Sequence, residues 1–119
     1  MGRQPPENAI LTDEITKAWS GLTTKQYKAV KNLKKENLRD HMTNLELVLN
    51  MLAEASTTEI SKDKEPKTFP ENKEVARKGG NVAKAARLKL ENTTGKKVVT
   101  KLNAKHLDKP ILESGNEEQ

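Results

Sequence analysis

Apolar residues along this chain recur mostly at every third or fourth position, and the interruptions between these runs predict an all-α domain of four or five helices. Residues 1–11 read as a flexible linker, because Pro5-Pro6 blocks helix and the neighbouring residues are polar. Thr12, followed by Asp13 and Glu14, has the form of an N-cap with acids at the positive end of a helix dipole, and that helix is expected to stop near Ser20-Gly21. Thr23 or Thr24 then caps a second helix with Tyr27, Val30 and Leu33 on one side. Lys25, Lys28, Lys31, Lys34 and Lys35 are assigned to or near its exposed side, and it bends or breaks before Asn37-Leu38.

The clearest local signal is Thr43-Asn44-Leu45-Glu46, a capping box in which the Thr hydroxyl and the Glu carboxylate satisfy the first turn reciprocally. In the helix that follows, Leu45, Leu47, Val48, Leu49, Met51, Leu52, Ala53 and Ala55 leave only a narrow polar stripe of Glu46, Asn50 and Glu54. This pattern predicts a central helix buried on most sides, in which Leu49→Ala or Leu52→Ala costs about 2–5 kcal/mol. Residues 61–70 read as a polar connection, with Pro70 suited to the first turn of the next helix.

From Glu71 to about Asn92, Val75, Gly79, Val82, Ala83, Ala86 and Leu90 recur at helical spacing, while Lys73, Arg77, Lys84 and Arg87 fall within roughly 80° of one another on the other side of an ideal helix. Gly79-Gly80 inside that pattern costs about 2 kcal/mol relative to two alanines. Close helix packing is the preferred reason, and a break that aims backbone N–H groups at a phosphate is the alternative. Gly95 supplies the cap, and the β-branched run after it predicts an extended C-terminal segment packing back on the helices over residues 96–104. The helical domain is therefore placed at 12–107 and a disordered acidic tail at 108–119.

Composition narrows the function. Only 33% of the residues are hydrophobic, so the core is thin. With no cysteine there is no disulfide, thiolate metal site or cysteine nucleophile. His41 and His106 stand apart with no acid–base constellation, so neither catalysis nor a cofactor is expected, and the chain is read as non-enzymatic. No apolar run has the length of a bilayer span and Met1–Pro6 lacks a signal-peptide pattern; a cytoplasmic protein that does not engage membranes is the expectation.

The net charge of +5 is unevenly spread. Residues 17–41 carry seven Lys/Arg against two acids and residues 73–105 ten against two, flanking an acidic middle segment. Lys34, Lys35 and Arg39 form one candidate phosphate-binding set. Lys73, Arg77, Lys84 and Arg87 form the other, extended by Lys96, Lys97 and Lys101. The plainer reading of each set is a solvated face. Trp19 and Tyr27 suit stacking on bases, but as single aromatics they suit the core better.

The stretch from Asn32 to Leu47, NLKKENLRDHMTNLEL, resembles a signature of the DNA-damage-inducible protein D family and related phage antirepressor-like proteins. So do Leu49–Glu59, Glu71–Ala83 and Thr94–Lys105, and together they cover about residues 19–107. Position 32 is Asn where that family usually has Gly. The resemblance implies a role in the DNA-damage (SOS) or prophage response, and it implies a chain excised from a longer protein whose N-terminal domain binds DNA. The expected partner is DNA, read with weak sequence preference, or a DNA-bound protein. The competing expectation is a protein-interaction or homo-oligomerisation module meeting its partner through Val75, Val82 and Ala86.

Overall fold

The structure is a computed structural model and describes residues 7–103. The expectations for 1–6 and 104–119, including the acidic tail and His106, lie outside the described residues. The elements run in the order α1 (Glu7–Ser20), α2 (Thr24–Val30), a 3-10 turn (Arg39–His41), α3 (Asn44–Lys64) and α4 (Phe69–Thr94). The all-α class with a non-helical C-terminal segment holds.

Three capping boxes start these helices. Thr43 with Glu46 opens α3 as expected, and the same reciprocal bonding joins Thr23 to Gln26 and Thr68 to Glu71. Several boundaries differ from the sequence expectations. α1 begins at Glu7, so residues 7–11 are helix rather than linker, and Thr12 is an interior residue whose carbonyl accepts from the Thr16 hydroxyl at 3.1 Å. Residues 7–11 contain no proline or glycine to oppose helix, and Glu7 supplies the acid of the first turn. α3 continues through Ser61-Lys62-Asp63-Lys64, which contains no breaker, until Glu65 turns left-handed at φ 49° before Pro66. The connection is thus residues 65–68, short enough to lay α3 and α4 antiparallel.

α4 is the element on which the bundle is assembled, packing extensively against both α1 and α3. The glycine pair explains how. A Cβ on Gly79 would stand 2.6 Å from the backbone of Thr57 in α3, and one on Gly80 would stand 2.4 Å from Ala18 Cβ and 2.9 Å from the Ile15 carbonyl in α1. Adjacent residues 100° apart on the helix thus admit two different neighbours. α4 is continuous here, so the pair serves packing and no phosphate-binding break occurs.

The core gathers Trp19, Tyr27, Leu38, Met42, Leu49, Ala53, Ala83 and Val98. Trp19 donates its indole N–H to Asn50 Oδ1 at 3.0 Å and meets Tyr27 edge-to-face at 6.1 Å, so both aromatics are core residues rather than stacking platforms. Val98 and Asn103 are buried, which confirms that the segment after α4 folds back. α3 departs most from expectation. Its inner side buries Glu46, Leu49, Asn50 and Ala53, while Leu45, Val48, Met51 and Leu52 remain 37–51% exposed. The large penalty expected for Leu52→Ala therefore applies only to Leu49.

Candidate nucleic-acid interface

The ten cations singled out from the sequence separate into two kinds. All three arginines are held by carboxylates. Arg39 Nη1 donates to both oxygens of Glu54 at 2.9 and 3.1 Å, fastening the 3-10 turn to α3. Arg77 grips Glu74 of its own helix through Nε and Nη2, and the pair holds the Glu74 carboxyl below its ordinary range. Arg87 turns inward: its Nε donates to the Trp19 carbonyl at 2.7 Å, near the C-terminal end of α1, and its Nη1 reaches Glu91 at 3.1 Å. Glu91 also accepts the Val98 N–H at 3.0 Å. Burial raises its carboxyl, but that hydrogen bond and Arg87 outweigh it and leave the carboxyl below its ordinary value. Arg87 is therefore a structural tie among α1, α4 and the returning segment, and it leaves the basic stripe.

The seven lysines behave otherwise. Lys34, Lys35, Lys73, Lys84, Lys96, Lys97 and Lys101 are all exposed, and among the described residues none has a carboxylate oxygen within ion-pair distance. Lys73 and Lys84 share one side of α4, about 16 Å apart along the axis, with the neutralised Arg77 between them. Lys96, Lys97 and Lys101 follow the end of α4 on the irregular segment.

Lys34 belongs to a better-defined arrangement. α2 meets α1 only lightly, and an open groove of about 940 Å³ lies between them. Its floor includes Ala9, Ile10, Ala29 and Leu33, and Lys25, Lys28 and Lys34 line it together with the hydroxyls of Thr12, Thr23 and Thr24. A smaller groove of about 320 Å³ adjoins it, sharing Thr12, Thr24 and Lys28 and reaching Arg39. One carboxylate enters the larger groove, that of Asp13, which accepts the Thr24 N–H at 2.8 Å. A second lies next to Lys34 and Lys35: Glu36 accepts the Lys34 N–H at 2.8 Å, and this bond is the first cause holding its carboxyl below the usual range. The assembly can hold an anion flexibly, by ammonium charge and hydroxyl donors above an apolar floor.

Lys25 and Lys28 were not among the sequence candidates for this site. Their i, i+3 spacing on a capped helix was visible, but the groove depends on where α1 lies, and no local pattern carries that.

Lys31, assigned with them to the solvent side, is instead in the core. Its Nζ sits 2.7 Å from Glu46 Oε1 with both side chains at 0% exposure, and it also donates to the Leu102 carbonyl. α2 ends at Val30 and Asn32 takes φ 62°, so Lys31 lies at a helix end that turns inward. Glu46 thereby combines three tasks, capping α3, pairing Lys31 and accepting the Thr100 N–H at 3.3 Å. Beside it the Tyr27 hydroxyl is buried without a well-aligned hydrogen bond; burial first, then the nearby Glu46 charge, pushes the phenol well above its ordinary value.

His41 is half-buried, with Nδ1 2.8 Å from Asn103 Oδ1. Among the described residues no group of three or more His, Cys, Asp or Glu side chains is placed to hold a metal ion, and no helix is long and apolar enough to cross a membrane. Comparison with known proteins yields no match, whether to a family model, a curated protein or a solved structure.

Proposed function

We propose that this is a non-enzymatic, cytoplasmic domain of a DNA-damage or prophage response protein, of the kind resembling DNA-damage-inducible protein D, and that it binds DNA or a protein–DNA assembly through lysine contacts to phosphate. The observation that carries the reading is the convergence of Lys25, Lys28 and Lys34 on one groove while every arginine of the candidate set is tied up internally. Point-like ammonium groups on mobile stems hold backbone phosphates without selecting a base edge, which gives affinity with weak sequence preference. Lys35 adjoins Lys34 in the chain, and Lys73 and Lys84 are exposed on α4. The family resemblance also gains local sense: Asn32, where that family has Gly, occupies the left-handed region at φ 62°, which Gly prefers and Asn tolerates.

Fluorescence anisotropy with labelled single- and double-stranded DNA tests this at two salt concentrations. With about four phosphate contacts to duplex the log–log salt slope is about −3.6, so affinity falls about 150-fold between 50 and 200 mM salt. Charge reversal at Lys28 and Lys34 lowers the magnitude of that slope by about two. A slope near zero, or one unchanged in Lys28→Glu/Lys34→Glu, refutes the proposal.

A second reading, an interaction module, is favoured by the apolar side of α3. The face first considered for it is not available: Val75 is buried and Ala86 packs on the core, leaving only Val82 of that trio exposed.

A further inference from the structure

Among the described residues, Leu45, Val48, Met51 and Leu52 gather four of the exposed large apolar side chains on one helix. On an ideal helix they lie within about 120° of arc together with Ala55, opposite the side that buries Glu46, Asn50 and Ala53. The patch lies on the side of α3 turned away from Thr57, the residue that meets α4 at Gly79. Only 33% of this chain is hydrophobic, so leaving four large apolar side chains of one helix in water uses a sizeable part of a scarce supply. Their exposed surface is on the order of 350 Å², within the range of the largest and often functional patch on a monomer.

We propose that this face is where two copies of the chain meet. A standard interface takes about 800 Å² from each partner, a little over half of it apolar. The α3 patch with Ala55 supplies most of that apolar share, which is the size a modest dimer needs. An antiparallel pairing of two α3 helices about a twofold axis level with Asn50 is self-complementary: Val48 meets Leu52 of the second copy, and Leu45 meets Ala55. Within residues 45–55 the charged side chains are Glu46, buried and paired with Lys31, and Glu54, paired with Arg39, so the pairing strands no charge. Antiparallel α3 helices also set opposite ends of their dipoles side by side. The face is on the side of α3 opposite Asn50, which bonds Trp19 of α1, and none of its residues lines the lysine groove, so this pairing leaves a groove uncovered on each copy.

Sedimentation velocity of the 119-residue chain from about 1 to 200 µM tests the proposal, since interfaces of this size and quality reach micromolar affinity. The wild type is expected to pass from the 13.3 kDa chain to twice that mass. Val48→Glu is expected to remain a monomer across the range, its dissociation constant raised at least 100-fold, with helicity and Trp19 emission unchanged. Met51→Glu, at an equally exposed site, repeats the measurement should Val48→Glu disturb folding. A wild type that stays at 13.3 kDa at 200 µM overturns the proposal, as it would if the face served a different protein. So does a dimer that survives both substitutions. Neither result depends on whether the groove binds DNA.

Discussion

Lys31→Met removes one ammonium group from the core while keeping a side chain of similar length. The two charges of the Lys31–Glu46 pair are 2.7 Å apart. At an effective dielectric constant of about 20 their attraction is about 6 kcal/mol, but each ion also gives up several kcal/mol of hydration, so the intact pair contributes little net stability. Deleting one partner is different. The Glu46 carboxylate stays buried, its desolvation then offset only by the N–H groups of Thr43 at 2.7 Å and Thr100 at 3.3 Å. The carbonyl of Leu102 loses its lysine donor as well. A broken buried pair costs about 3–5 kcal/mol, and the two remaining hydrogen bonds place this one near the lower end, about 3 kcal/mol.

A domain of this size holds about 5–15 kcal/mol in total, so the loss is large and readily measured. Urea unfolding followed by Trp19 fluorescence should show the midpoint falling by about 1–3 M at an unchanged slope of about 1–3 kcal/mol per molar. Lys25→Met, at an exposed position in the first turn of α2, should stay within about 0.5 kcal/mol of the parent. Lys31→Met/Glu46→Gln should be more stable than the sum of its single substitutions, because it leaves no stranded charge. If Lys31→Met proves as mild as Lys25→Met, the lysine reaches water and the inward turn at the end of α2 is wrong.

Tyr27 is the chain's only tyrosine, so phenolate absorbance near 295 nm reports it alone. Its folded-state pKa is raised, so its contribution to stability is complete below its unfolded value of about 10 and is lost as the pH rises above it. The phenolate signal is expected only together with unfolding, and ionisation near pH 10 in a chain with native Trp19 emission would contradict the burial. Gly79→Ala gains about 1 kcal/mol of helix propensity, yet its Cβ meets the Thr57 backbone at 2.6 Å and forces α3 from α4. A net loss of about 1–3 kcal/mol is expected in thermal unfolding, and a rise in melting temperature would mean the two helices are not in contact there.

The parts of this fold that a sequence displays are those decided within a few residues. Thr43 and Glu46 announced α3, whereas the α2 cap stayed open between Thr23 and Thr24 and the Thr68-x-x-Glu71 box that starts α4 went unread behind Pro70. Gly79-Gly80 was legible as a close approach because two adjacent glycines in a helix need a cause. What the local pattern lacked was direction. Lys31 follows the lysine spacing of an exposed face, but its surroundings are set by Glu46, Thr100 and Leu102, between fifteen and seventy-one positions away. The apolar residues of α3 promised burial on most sides, yet a chain with so few large apolar side chains has too little material to cover both faces of that helix. The cationic candidates were read as one class for a similar reason, since composition counts a guanidinium and an ammonium alike.

The structure divides those two groups by chemistry. A guanidinium offers a planar fork that fits a carboxylate or carbonyl, and it is the residue type that holds elements together here: Arg39 to α3, Arg77 within α4, Arg87 between α1 and α4. Ammonium groups lack that geometry and, among the described residues, remain at the surface apart from Lys31. The division makes opposite predictions for two substitutions that composition would treat as minor. Arg87→Lys keeps the charge but cannot bond the Trp19 carbonyl and Glu91 in the same way, so it should lower thermal stability by about 1–2 kcal/mol and leave the salt dependence of the proposed DNA binding unchanged. Lys28→Glu, at the junction of the two grooves, should do the reverse, sparing the melting temperature and reducing the salt slope. Melting curves and salt titrations of the two variants decide the matter. Should Arg87→Lys weaken DNA binding at native helicity while Lys28→Glu leaves it intact, the guanidinium side chains are the phosphate contacts and the groove is not the interface.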